Sequence, residues 1–114
     1  MKNKENKYGP IIADKMYIRR VVDEMGFCPN YKGYYFLIFM VDQVLKNKIK
    51  SFSKDLYPEV AKTFGVNECS IERDIRSLIK VSELKAEIDS IKKSCRAYVN
   101  KVAECVVDRL SRFG

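Results

Sequence analysis

Histidine is absent from this chain of 114 residues. That removes the commonest general base and every metal site that would use an imidazole. The four cysteines, Cys28, Cys69, Cys95 and Cys105, form no C-x-x-C pair. A zinc site is therefore not expected, and all four read as small core or half-buried residues. There is no glycine-rich loop to cradle a phosphate, and the cysteines have no evident activating base, so neither an enzyme nor a bound cofactor is expected. The start, MKNKENKYGP, lacks the apolar run of a signal peptide. No stretch approaches the ~20 apolar residues of a membrane span. The expectation is a cytoplasmic protein with reduced thiols and no membrane contact.

What the chain does have is positive charge. Lysine and arginine number 22 against 15 acidic residues, a net charge of +7 that favours an acidic partner. Hydrophobic residues at 46% and charged residues at 32% indicate a globular chain, and the length allows one core. Residues 1–10 read as a flexible basic tail, and residues 11–114 as a single helical domain.

The stretch from Leu56 to Lys80, LYPEVAKTFGVNECSIERDIRSLIK, organises the rest and reads as a helix-turn-helix at about 57–81. Pro58 suits the first turn of a helix, where its missing N–H costs nothing. Val60, Ala61 and Phe64 make an apolar stripe of helical period, with Ala61 small where two helices cross near the turn. Gly65 supplies the left-handed residue of a helix end. Asn67 is placed to cap the second helix by accepting the N–H of Cys69 or Ser70. Ile71, Ile75, Leu78 and Ile79 then share one face. About 100° per residue carries Ser70, Arg73, Ser77 and Lys80 to the opposite face, with Glu72 and Arg76 on one flank and Asp74 on the other. A short glycine turn before a helix with a small-polar and arginine face is what a major-groove recognition helix requires.

Around this unit the periodicity predicts further helices. One runs from Ile11 to Met25, with Ile11, Ile18, Val22 and Met25 inward, Arg19 and Arg20 on the exposed flank, and Gly26 at its end. A central core helix spans Tyr34 to Ile49, its stripe being Tyr34, Leu37, Ile38, Val41, Val44, Leu45 and Ile49. Lys46, Lys48, Lys50 and Lys54 gather at its C-terminal end, where cations suit the dipole. After Ser82 the pattern is helical to the end. Leu84, Ile88, Ile91, Cys95, Tyr98 and Val102 form one apolar line, and Val99, Val106 and Leu110 a second. One helix or two over 83–113 fits equally.

Within residues 56–82, Lys62, Arg73, Arg76 and Lys80 are balanced by Glu59, Glu68, Glu72 and Asp74. The positive surplus lies outside the reading unit. Flanking lysines would then supply salt-dependent affinity while the second helix discriminates among bases. Lys50, Lys54 and Lys62 are the candidate phosphate contacts.

These residues carry a family resemblance. Gly26, Pro29, Lys32-Gly33-Tyr34 and Leu37 begin it. Leu56-Tyr57-Pro58, Val60, Ala61-Lys62 and Phe64 continue it, followed by Glu72-Arg73, Ile75-Arg76, Ile79, Val81 and Ile88-Asp89-Ser90-Ile91. With these strings at this separation, the chain resembles the DNA-binding C-terminal (effector) domain of the stage zero sporulation response regulator over residues 11–91. Val106 to Leu110 match more loosely. The resemblance implies an all-α bundle of about five to six helices, winged-helix-like but without a β wing, whose third and fourth helices read DNA. It implies a promoter box as target, usually in tandem with a homodimer bound, and transcription control through RNA polymerase. Glu72, Arg73 and Arg76 fall at family base- and backbone-contacting positions; arginine can grip guanine O6 and N7, and glutamate can accept from cytosine N4. Ser70, Ser77, Lys80 and Asn67 complete the candidate set.

Departures accompany the match. Ser70 stands where the family usually has a basic residue, Ser77 where it commonly has histidine, and Asp74 where it has a small residue, placing a negative charge near phosphate. With these departures the resemblance does not specify the exact target box. A family loop between Ile91 and the last helix is missing, beside surfaces used for activation and dimer contact. The 114 residues include no receiver domain, which leaves an excised effector domain or a stand-alone protein; Met1 and the lysine-rich start make a stand-alone effector the expectation. Asp74, the neutral reading unit and the altered tail together define an alternative, an interaction module that pairs with a full-length regulator or RNA polymerase without reading DNA.

Overall fold

The architecture follows from one long buried run. In the computed structural model, which describes residues 8–46, 52–80 and 95–113, every residue from Gly33 to Asp42 is buried. They belong to α2, Lys32–Leu45. A helix buried on all sides needs neighbours on all sides. It has them in α1 (Met16–Glu24), α3 (Tyr57–Phe64), α4 (Glu68–Lys80), α5 (Cys95–Phe113) and a 3-10 turn at Gly9–Ile12. A turn with π-type winding, Phe52–Leu56, leads into α3. Five α-helices and no strand occur among the described residues, as the all-α reading requires. The expected stripe on α2 was too narrow, since Tyr35, Phe36, Phe39 and Met40 are buried as well. Ile49 lies outside the described residues.

The single helix expected over 11–25 is instead a 3-10 turn followed by α1. Ile12 and Ile18, six residues apart, would point about 120° apart on one continuous helix. The break at Ala13–Lys15 lets both reach zero exposure. Gly26 follows α1 with φ of 92°, the positive value expected of a helix-ending glycine. The folded part also starts earlier than composition indicates, because Tyr8 and Gly9 are buried. Tyr8 stacks edge-on against Phe64, with ring centroids 5.2 Å apart. Phe64, the last residue of α3, also meets Phe36 at 5.0 Å and Phe39 at 5.5 Å, and this aromatic knot anchors the reading unit to α2.

On α5, Val99, Val102, Ala103 and Val106 are buried, so both apolar lines contribute to the core. Leu84, Ile88 and Ile91 lie outside the described residues, as does the junction that would distinguish one helix from two.

Two polar clusters tie α1 to α2, and no local pattern along the chain signals either. Asp42 has no exposed surface; Lys15 and Lys46 place their Nζ atoms 3.3 Å from its Oδ2, and the Tyr17 hydroxyl donates to its Oδ1 at 2.9 Å. Asp14 also pairs with Lys15, and this bond holds its carboxyl below the usual range. Arg19, expected on an exposed flank, is half-buried and donates from Nε to the Tyr34 hydroxyl at 3.1 Å, while that hydroxyl donates to Asp23. Burial, and then Asp23, raise the Tyr34 phenol.

Candidate nucleic-acid interface

The α3–α4 pair is shaped by its turn. Gly65 takes φ 69° and ψ 40°, and the Val66 N–H returns to the Ala61 carbonyl at 3.0 Å, the six-to-one bond of a Schellman turn. Val66 packs partly into the core, the apolar contact that accompanies such a turn. Pro58 lies in the first turn of α3, and Val60 and Phe64 are buried. Ala61 is only partly buried. The close helix crossing that the structure documents is elsewhere, at Gly33: a β-carbon there would lie 2.3 Å from the Asp74 carbonyl oxygen and 2.9 Å from the Ile75 Cα. The first turn of α2 therefore presses directly on the middle of α4.

The α4 start differs in detail from the expected cap. The Asn67 backbone carbonyl, rather than its side chain, makes the bonds there, accepting the Ser70 N–H at 3.1 Å and the Ser70 hydroxyl at 2.8 Å. Ser70 Oγ is thus turned back on its own helix start. Cys69, expected to be at least half-buried, is exposed, because position 69 falls on the outward side of the first turn. Cys28 and Cys105 are intermediate in exposure.

Ile71, Ile75 and Leu78 have zero exposure, so the aliphatic side of α4 is turned inward. Arg73 keeps 69% of its side chain exposed and Arg76 45%. Lys80 is exposed, Ser77 intermediate. Neither arginine is sequestered, although each meets a carboxylate. Arg76 donates to Glu72 Oε2 from Nη2 at 2.8 Å and from Nε at 3.3 Å. Arg73 Nε lies 3.7 Å from Asp74 Oδ1. Exposed pairs of this kind contribute about 0–1 kcal/mol to stability.

Asp74 is not the outward charge that its flank position implied. Its side chain is 18% exposed and Oδ2 is buried without a hydrogen-bond partner. Asn67, Lys62 and Lys54 are exposed around the unit, on the α4 approach, on α3 and on the turn before α3. Lys50 lies outside the described residues. Lys32, which sequence reasoning treated only as part of a string, is exposed at the Gly33 crossing.

The family model described as the sporulation initiation factor Spo0A C-terminal domain matches residues 18–106. The chain belongs to that family. The matched span runs from α1 into α5 and takes in the whole α3–α4 pair. Spo0A C-terminal domains are response-regulator effector domains concerned with sporulation and transcription regulation. No solved structure matches the chain. Among the described residues, no helix is long and apolar enough to cross a membrane. No group of three or more metal-ligating side chains occurs among them.

Proposed function

We propose that the chain is a sequence-specific DNA-binding transcription regulator that lays α4 in the major groove. Arg73 and Arg76 are the principal base-reading side chains, with Glu72, Ser70, Ser77, Lys80 and Asn67 around them. Lys50, Lys54 and Lys62 contact phosphate. The observation that carries this reading is the division of α4: Ile71, Ile75 and Leu78 are wholly covered while Arg73, Arg76 and Lys80 reach solvent on the far side. A helix held in this way can enter a groove without disturbing the core. The family relationship adds RNA polymerase and a second copy on a tandem box as partners, with the nucleoid as the place of action.

Selection of random duplexes by the purified chain, followed by binding to the winner and to a scrambled duplex at two salt concentrations, tests this. A preferred box and a steep loss of affinity with salt are expected. Equal, feeble binding to every duplex at low salt would overturn it in favour of the interaction module, a reading supported by the neutral charge of the unit and by the carboxylates beside both arginines.

A further inference from the structure

We propose that Glu72 is a positioning residue, which sets the guanidinium of Arg76 for a two-point contact with one base pair. This deepens the DNA-binding reading above and rests on it.

The geometry distinguishes the two arginines. Arg76 sends two N–H groups, Nε and Nη2, to one oxygen of Glu72, at 3.3 and 2.8 Å. Two bonds into one acceptor restrict both the reach of the side chain and the rotation of the guanidinium plane. Arg73 has no comparable anchor in Asp74, whose Oδ1 stands 3.7 Å from Nε, beyond hydrogen-bond distance.

Restricting Arg76 matters because guanine presents O6 and N7 in the plane of the base pair, and only a fork lying in that plane meets both. An arginine that wanders must lose its rotamer freedom on binding; one already held loses less. Glu72 stands one turn before Arg76, the favourable order for such a pair. With 43% and 45% of their side chains exposed, the two lie on the surface of α4 and reach solvent together. The charge of Glu72 is also offset by Arg76, so Glu72 can stand near phosphate without strong repulsion.

The test compares base preference, position by position, for the wild-type chain, Glu72→Ala, Glu72→Gln, Arg76→Ala and the double Ala variant, with circular dichroism to verify the helices. Arg76→Ala is expected to relax one base pair by about tenfold. Glu72→Ala should relax the same base pair by about three- to fivefold, with Glu72→Gln in between, and the double variant should be no worse than Arg76→Ala alone. Binding of Glu72→Ala to a scrambled duplex should tighten, because one negative charge has left the surface. A merely helix-stabilising pair would move none of these preferences. Relaxation at a different base pair, multiplication of the two single effects, or unchanged preference in Glu72→Ala would overturn the proposal. A wild-type chain with no base preference would be seen before any variant is compared, and would remove the DNA-binding reading itself.

Discussion

Gly33 and Asp74 meet backbone to backbone, so that a β-carbon on the glycine would stand 2.3 Å from the aspartate carbonyl oxygen and 2.7 Å from its carbonyl carbon. Helix backbone cannot step aside as a flexible side chain can. Gly33→Ala should therefore destabilise the domain by about 1–3 kcal/mol and displace α4, lowering sequence preference with it. Gly65→Ala offers the contrast. It meets nothing within 4 Å, but its φ of 69° disfavours any side chain, and its cost should be about 1 kcal/mol. Urea midpoints for both variants, with duplex competition, check the difference.

Arg73→Ala should reduce discrimination between the preferred and a scrambled duplex by about 1–3 kcal/mol. With 69% of the side chain exposed, its removal should leave the helical spectrum and the melting temperature near those of wild type. Competition binding together with circular dichroism tests both halves; a loss of helix would mean that the side chain serves the fold.

Asp42 and Lys15 are charges taken from water, their side chains 1% and 11% exposed. Asp42→Ala leaves Lys15 without its buried counter-charge and should destabilise by about 3–5 kcal/mol. The joint change Lys15→Met with Asp42→Leu should recover most of that loss, since an apolar pair of similar volume has no desolvation to offset. Chemical denaturation of the single and joint variants decides it.

Alkaline pH should expose the tyrosine network. Burial first, and then the Asp42 carboxylate, push the Tyr17 phenol from 10.0 up to about 12. The folded state thus holds this proton more tightly than the unfolded chain does. The resulting stability is fully present below pH 10.0 and is lost as pH rises through about 12. Tyr17 is 38% exposed, so solvent screening should keep its share to about 1 kcal/mol. Tyr34 is shifted the same way. Unfolding free energies measured across this window should fall with pH, and Tyr17→Phe should flatten part of the slope; an unaltered slope would refute the assignment.

The helix-turn-helix was legible because its signals are local. Pro58, Gly65 and the spacing of Ile71, Ile75 and Leu78 each act within a turn or two, and the structure keeps all of them. What escaped reading depends on distance along the chain. Asp42 on α2 pairs with Lys15 from the break before α1, and nothing near either residue announces the other. Tyr8 looked like tail because its neighbours are lysines and asparagines, yet its ring finds Phe64 on α3. Gly33 could be recognised as part of a string, but its reason, the crossing with α4, appears only when the two helices are brought together. Asp74 escapes for the same reason: a helical wheel gives its angle on α4 but not the depth at which its carboxylate sits.

The aromatic knot around Phe64 has a practical corollary. Cut out as a peptide, α3 and α4 would present Val60, Phe64, Ile71, Ile75 and Leu78 to water, and each of these is covered only in the intact fold. The reading head is not portable; grafting it elsewhere means supplying a substitute for α2, down to a notch where Gly33 now sits.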